Sequence, residues 1–427
     1  MVTLTATRHP PLLSIVTPSF NQARFIRQTI DSVLSQNYPH IEHIVVDGSS
    51  TDGTVDILQE YGGRFPERFR WVSEPDKGQS DALNKGLAMA RGEIIGWQNS
   101  DDYYYSGALQ ALAGHLAENP DAAVAYGDYD RVDERGMRTQ TFRPGPFDLA
   151  RFMGDVYVAN QAALFRKAAI ASLGGIDENL QCAMDYDLLL KLGCRYRLDY
   201  VPGVAGAYRW HSAGKTLSNG LQSATESYHV LERLSVPLQL EQSRRTMLGV
   251  MLSTIIPLAI ARGQDALAAD LLDRAIRLDP ELQEWQSGCE RMLSAIQGDW
   301  LLGKVHDTFD ADTPVRLNRL LAAKGVSCSQ AARATTALVH LYWAMDPGSS
   351  HNPRVVAAHL ARAIAAHRWW LHSPQQLNKV LHNVLKPGAG HSLHLGRATL
   401  ACYVTAGRIR HLVRLARGTQ RVRPTGR

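Results

Sequence analysis

The sequence predicts an α/β protein: a mostly parallel sheet with covering helices in the N-terminal half, followed by an all-α region. Three observations carry this. Residues 12–105 alternate short apolar runs with segments of helical periodicity. Each run ends in a polar cluster rich in Asp, Asn, Ser and Gly. Near residue 220 the chain changes character and becomes rich in alanine and leucine. A β-α-β-α order implies parallel strands, because each crossover helix returns the chain to the same end of the sheet.

The elements follow in order. Leu12–Thr17 is an apolar run ending in Pro18 and reads as the first strand. Phe25, Ile26, Ile30, Val33 and Leu34 fall on one side of a helix. His43–Asp47 is the second strand, closed by Gly48, Ser49 and Ser50, and a helix follows from Thr54 to Tyr61. Arg70–Ser73 is the third strand, and Ala82, Leu83, Gly86, Leu87 and Ala90 mark the next helical face. Glu93–Trp97 is the fourth strand. Residues 120–215 are mixed, with strands at Ala122–Tyr126, Gln161–Phe165 and Arg197–Tyr208 and a helix at Asp185–Leu192. Beyond, Gln264–Pro280 resembles the second helix of a tetratricopeptide unit and Val355–His367 echoes it weakly. Two such copies do not establish a repeat array.

The 427 residues suit two or three domains. The expected division is a site-bearing α/β domain over 1–220, a helical domain over 221–396 and a basic tail over 397–427. The N-terminus reads as a first strand and offers no signal peptide: Arg8 and His9 precede only the short run Leu12–Val16. The longest uncharged stretch, Thr246–Ala261, contains Gly249 and Pro257 and falls short of the ~20 residues that cross a bilayer. It reads as a buried or interfacial helix. Cys182, Cys194, Cys289, Cys328 and Cys402 are scattered, without metal-ligand spacing, and read as reduced thiols of a cytoplasmic protein. The net charge of +5 conceals an asymmetry: no acid follows Asp346, so the last 81 residues carry +13 and the first 346 carry −8. A basic end of this kind suggests an anionic partner.

In a parallel sheet, ligands bind at the carboxyl ends of the strands. The clusters Thr17–Asn21, Asp47–Asp52, Glu74–Asp81 and Asn99–Asp102 all occupy such ends, which argues for one polar site. After the second strand, Asp47 and Ser49 open a tight turn into a helix. A carboxylate there can accept from a base N–H or a ribose hydroxyl, and it also reads as a helix cap. In the third cluster, Asp76 and Asp81 could take sugar or ribose hydroxyls and Lys77 a phosphate; alone, the segment reads equally as a solvated turn. In the fourth, carboxylates at a strand end suit a divalent cation that neutralises a diphosphate, or they cap the next helix. Asp185 opens a helix, where an ionised carboxylate is favoured, as either a cap or a base. Finally, His211 could ligate a cation as neutral imidazole, with Arg209 or Lys215 on phosphate, though a lone histidine is commonly structural.

Taken together, these elements resemble, in order, the family 2 glycosyltransferases, which have the GT-A fold. The resemblance spans about residues 12–216, half the chain. It implies that Asp47 meets the nucleobase and that the Thr17–Pro18 backbone, with Asn21, lies beside the nucleoside. The D-x-D motif of the family aligns with Asn99-Ser100-Asp101, so its first aspartate is an asparagine here. By resemblance Asp101 holds the metal, with Asp102 a second candidate and Asn99 toward the ion or ribose. Asp185 matches the general base, while Asp187 faces elsewhere on its helix. The Arg-x-His element, Arg209 and His211, falls on a loop that closes over the diphosphate. The implied reaction is transfer of a sugar from a nucleoside diphosphate sugar to an acceptor hydroxyl, with inversion and a divalent cation, Mn²⁺ or Mg²⁺. The acceptor would be a glycan or a lipid-linked molecule of bacterial polysaccharide or glycolipid synthesis.

Two other classes compete. A nucleotidyltransferase shares strand-end carboxylates but carries a glycine-rich phosphate loop, and none lies near the first strand. An inactive nucleotide- or carbohydrate-binding protein on the same fold would not need Asp47, Asp101 and Asp185 together. In the tail, Ile409, Leu412, Val413 and Leu415 interleave with Arg408, Arg410, Arg414 and Arg417. Such a basic amphipathic segment can lie on an anionic membrane, which would place the protein at the inner face of the plasma membrane. Specific nucleic-acid recognition is not expected.

Overall fold

A computed structural model describes residues 10–211, 214–215, 219–278 and 313–324. The chain divides into two compact units, one comprising residues 1–218 and 229–244 and the other 219–228 and 245–427. The second half of the suggested repeat pair, Val355–His367, and the basic tail 397–427 lie outside the described residues.

The first unit opens with β1 (Leu13–Ser19), α1 (Ile26–Leu34), β2 (Ile41–Asp47), α2 (Thr54–Arg64), β3 (Phe69–Ser73), α3 (Gln79–Met89) and β4 (Ile94–Trp97). Strands β3, β2, β1 and β4 lie side by side and parallel. β1 and β2 are buried along their whole length, as strands covered on both faces must be, and so they read as continuous apolar runs. On α1, Ile26, Ile30, Val33 and Leu34 are buried on one face, as the 3.6-residue period demands. Ile26, Ile30 and Leu34 pack with Val45, Ile57, Leu58 and Phe69, while Val33 joins the cluster of Leu13, Ile15 and Ile41.

Two polar residues interrupt the core of β2. The Glu42 carboxylate accepts from Ser14 Oγ (2.6 Å), Arg91 N (2.7 Å) and Arg91 Nε (2.9 Å). Burial pushes its pKa up, but the hydrogen bonds from Ser14 and Arg91 outweigh this and hold it below the usual carboxylate range. His43 pairs with Ile15 and reaches diagonally to Thr17, with Nε2 2.9 Å from Thr17 Oγ1. Complete burial pushes its pKa down to about 3, so it is neutral.

The chain continues through β5 (Tyr103–Tyr104), α4 (Ala108–Glu118), β6 (Ala122–Val132), β7 (Arg138–Phe142), α5 (Leu149–Phe152), β8 (Ala163–Arg166), α6 (Lys167–Ala171), α7 (Met184–Arg195) and β9 (Arg197–Arg209). The sheet has nine strands in the order β3-β2-β1-β4-β8-β6-β9-β5, with β7 on β6. β8 runs antiparallel to both β4 and β6, while β6 and β9 are parallel. The sheet is therefore mixed, its parallel character concentrated in β1–β4. The short β5, the edge strand β7 and the helix α4 had no counterpart in the sequence reading. A two-residue strand has no periodicity to detect. The exposed Arg138, Thr139 and Gln140 of β7 have none of the apolar alternation that marks a strand.

Register decides where the site lies. Ser19 pairs with Asp47 and Asp47 with Ser73, while Val16 pairs with Trp97. The four polar clusters that follow these residues thus emerge at one edge of the sheet.

In the second unit, residues 245–261 of α9 (Glu241–Ala261), with α10 (Asp265–Leu278) and α11 (Thr313–Ala323), are helical. The α9 helix extends beyond the stretch Thr246–Ala261 expected from sequence, and Gly263, in the left-handed region, follows its end. From Leu238 onward this segment is long and apolar enough to cross a membrane by length and composition. Its Leu248, Leu252, Ile255 and Ile256 are buried in the fold. Arg316–Asp265 and Lys324–Asp273 ion pairs tie α11 to α10. The helix α8 (Gly220–Arg233) contributes residues 220–228 to the second unit and 229–233 to the first.

Candidate active site

The turns after β1 and β2 are laced together. Asn21 N donates to Ser50 Oγ (2.7 Å), Thr51 N to Asn21 Oδ1 (2.9 Å) and Gly48 N to Ser19 O (2.8 Å). Asn21 (φ 52°) and Ser49 (φ 64°) both adopt the left-handed region, a strained state that these contacts maintain. Thr17 and Pro18 are buried beneath. Phe20, between Ser19 and Asn21, is 61% exposed. The sequence reading gave Phe20 no role; a large apolar side chain left open at a ligand-binding strand end is the signal that was available.

Asp47 is fully buried. Its carboxylate accepts from Ser50 N (2.8 Å), Ser73 Oγ (2.8 Å) and Ser50 Oγ. Three protein donors therefore surround the group expected to meet a nucleobase, and its task in the fold is to bind the turn after β2 to the end of β3.

The third cluster turns into α3. Asp76 Oδ1 accepts from Gly78 N (2.8 Å). Asp81 accepts from Lys77 N (3.0 Å) and faces Lys85 Nζ at 3.5 Å. The Lys77 backbone hydrogen bond, with the Lys85 charge, holds its pKa below the usual range. Asp81 thus closes the first turn of α3. The Lys77 side chain is 81% exposed, with Nζ 4.0 Å from Glu178.

The fourth cluster is a buried network. Asn99 Oδ1 accepts from Trp97 Nε1 and Gln79 Nε2, both at 3.0 Å, and Asn99 Nδ2 donates to Asp102 Oδ2 (3.0 Å). Asp102 Oδ1 accepts from the Arg209 backbone N–H (2.7 Å). Both oxygens of Asp102, a residue 1% exposed, are engaged by protein donors. Burial, together with the neighbouring Asp101, pushes its pKa well above the usual carboxylate range. An amide at 99 suits this site better than a carboxylate, because only an amide donates to Asp102 while accepting from Trp97. Asp101, by contrast, turns toward His211: its Oδ2 lies 2.9 Å from His211 Nε2.

Arg209 differs from its expected role on phosphate. It is 3% exposed. Its guanidinium donates to Asp101 O (2.8 Å), Gln28 Oε1 (2.6 Å), Asp133 O (3.2 Å) and Glu134 O (3.1 Å), and lies 4.8 Å from the Phe25 ring centroid. It holds the Asp101 backbone to α1 and to the β6–β7 turn. Lys215, by contrast, is exposed; its Nζ donates to Gln79 Oε1 (3.1 Å) and Gln181 O (3.3 Å).

Asp185 lies in the first turn of α7, partly exposed, and accepts from Tyr186 N (2.8 Å). Asp187, 3% exposed, pairs with Lys191 and Arg233. The loop before α7 is fixed to α3 by Ser80 Oγ donating to Leu180 O (2.7 Å) and Asn84 Nδ2 to Ile176 O (2.9 Å). Through Gln79 and Gln181, the segment bearing His211 and Lys215 therefore links the Asn99–Asp102 turn to the loop that leads into Asp185.

Among the described residues, no group of three or more His, Cys, Asp or Glu is placed to hold a metal ion. The Asp101–His211 pair offers one oxygen and one nitrogen. That donor set fits a cation which takes its remaining ligands from a substrate diphosphate and water, as Mg²⁺ does at phosphate sites.

Residues 14–172 match the family model described as Glycosyl transferase family 2. An uncharacterized glycosyltransferase of Mycobacterium tuberculosis is 34% identical over 188 residues, covering 42% of this chain and 68% of the relative. A chondroitin synthase of Escherichia coli is 29% identical over 182 residues, which is 43% of this chain and 26% of that longer protein. A crystal structure of S. aureus TarS in complex with UDP-GlcNAc aligns over 78% of this chain and 91% of that one, at 17% identity and a TM-score of 0.48. The family match and the M. tuberculosis relative, together with the β1–β4 arrangement, identify this chain as a member of glycosyltransferase family 2 with a GT-A-type fold.

Proposed function

We propose that the chain transfers a sugar from a nucleoside diphosphate sugar to the hydroxyl of a glycan or lipid-linked acceptor, with inversion. The observation that carries this is the linkage just described: His211 contacts Asp101, and Lys215, four residues on, contacts Gln79 and the Gln181 carbonyl in the loop that leads to the helix of Asp185. A diphosphate leaving group and an attacking hydroxyl need groups of opposite function on either side of the anomeric carbon, and this linkage supports Asp101 and His211 for the first and Asp185 for the second.

The nucleoside would lie over the turns after β1, β2 and β3, against the Phe20 ring. Asp101 and His211 would hold Mn²⁺ or Mg²⁺, which when bound neutralises charge on the departing diphosphate. Lys215 adds a positive charge beside it. Asp185 accepts the proton of the acceptor hydroxyl as that oxygen attacks the anomeric carbon and the bond to the diphosphate breaks. A single displacement of this kind inverts the anomeric configuration. Arg209, Asp102 and Asn99 act indirectly, fixing Asp101 so that no reorganisation is needed at the moment of reaction.

A panel of nucleotide sugars incubated with purified protein tests this reading. Release of nucleoside diphosphate supports it; release of pyrophosphate, or no turnover of any donor with any acceptor pool, overturns it. The basic tail would dock the enzyme on the anionic inner face of the plasma membrane, near a lipid-linked acceptor. Co-sedimentation with anionic vesicles that persists after deletion of residues 397–427 would remove that part of the proposal.

A further inference from the structure

The carboxylate that would recognise the nucleobase is not the one at the end of β2. Asp47 is fully buried and takes three protein hydrogen bonds. The next residue, Gly48, is bare, and the space above its Cα is filled from another loop. A Cβ at Gly48 would lie 2.7 Å from Asp76 Oδ2, 3.1 Å from its Cγ and 3.3 Å from Oδ1. Asp76 therefore puts its carboxylate where a side chain at position 48 would otherwise stand. Gly48 is not in the left-handed region, so room, not backbone conformation, is what requires glycine here.

Asp76 is held for this task. Its Oδ1 is fixed by the Gly78 N–H, and Gly78 adopts φ +119°, where a side chain would be strained and would meet Gln181. Among the described residues, Oδ2 takes no protein hydrogen bond, and Asp76 is partly exposed. The exposed Phe20 ring stands on the neighbouring turn, which is laced to the Gly48–Ser50 turn through Asn21. A ring face and an open carboxylate on adjacent, strained turns suit a planar ligand with an N–H at its edge.

Resting on the donor reading above, we infer that Asp76 is the specificity-determining residue for the donor nucleobase, accepting from the ring N–H of a lactam base across Gly48. A carboxylate only accepts hydrogen bonds. Uracil, thymine and guanine present a ring N–H at that edge. Cytosine and adenine present a ring nitrogen lone pair there, which a carboxylate repels. The donor is thus a uridine, thymidine or guanosine diphosphate sugar.

Calorimetry on the full chain with UDP, dTDP, GDP, CDP and ADP tests this. The wild type binds one of UDP, dTDP and GDP at least about tenfold tighter than CDP and ADP, the scale of one hydrogen bond to a charged group. Asp76→Ala weakens the preferred nucleotide by roughly 10- to 100-fold on the same basis and removes most of the discrimination. The double variant Gly48→Asp/Asp76→Ala returns a carboxylate to the same space from the other loop and recovers part of both, which a merely structural role for Asp76 would not allow. If the wild type discriminates and Asp76→Ala binds and discriminates equally well, the inference fails and the donor reading stands. A wild type that prefers CDP or ADP overturns the inference in the same way. If the wild type binds none of the five nucleotides, the donor reading fails and the inference falls with it.

Discussion

β2 and β4 flank β1 on either side, and the turns that follow them solve the same problem differently. Each places a carboxylate at the end of a buried strand, where it would be costly unless hydrogen-bonded. After β2, Asp47 is satisfied by neutral donors from two serines, and the following glycine leaves space for Asp76 to enter from the next loop. After β4, Asp102 is satisfied by the Asn99 amide and the Arg209 N–H, and its neighbour Asp101 turns outward to His211. In both turns the most buried carboxylate holds the loop and a less buried one is left to meet a ligand. The difference is in origin. The open group comes from a separate loop in one case and from the adjacent residue in the other, so no single spacing rule identifies it.

That division can be broken at several points. The largest effect is expected at Asp185, which lies outside both turns. Asp185→Asn keeps the shape and removes the proton acceptor, so turnover should fall roughly 10²–10⁴-fold, the usual range for a general base, with little change in donor affinity. Steady-state kinetics with saturating donor checks this, and full activity would remove Asp185 from the mechanism. Next is the open carboxylate after β4. Asp101→Ala should cost about 10²–10³ in turnover, as for other groups that stabilise transition-state charge, and chelation should have a comparable effect on the wild type. A chelated enzyme that works at its normal rate would leave Lys215 as the sole cationic support.

The two cations then sharpen the contrast between holding and facing. Arg209→Met removes a buried guanidinium and its hydrogen bonds to Gln28, Asp101, Asp133 and Glu134 together, each hydrogen bond to a charged group being worth about 1.5–3 kcal/mol. Thermal or denaturant unfolding should therefore show a large loss of stability. Lysine should not rescue it, because a point charge cannot span the fork of acceptors that arginine does. Lys215→Met should leave unfolding nearly unchanged and raise the KM for donor. The reverse pattern would return Arg209 to the phosphate. The smallest effect lies under the turns, at His43. Its pKa in the fold is pushed down to about 3 by burial, whereas an unfolded histidine protonates near ~6.5. As pH falls, the unfolded state takes up the proton first. The contribution of His43 to stability is thus complete above about pH 6.5 and is lost toward pH 3, at up to ~1.4 kcal/mol per pH unit. His43→Gln should flatten the acid limb of the stability curve by that amount; an unchanged limb would mean that His43 is protonated in the fold.

The sequence alone determined the first four strands, the helices between them and the convergence of their polar ends. These are local properties: apolar runs of strand length, a helical period in α1 and α3, and turn-forming Gly, Ser and Asp at the junctions. It also pointed to Asp101 and His211, which the fold brings within 2.9 Å of each other. What it could not decide was how carboxylates and cations within each cluster divide their work. Asp47 and Asp76, or Arg209 and Lys215, are chemically alike on the page, and only tertiary structure tells which is sealed by donors from distant segments. Arg209 is held by Gln28, Asp101, Asp133 and Glu134, four partners spread over more than a hundred residues of chain. Gly48 likewise looks like an ordinary turn glycine until the Asp76 carboxylate is seen above it. Burial and hydrogen-bond satisfaction are sums over neighbours brought together by the sheet register, and a linear pattern carries no record of those neighbours.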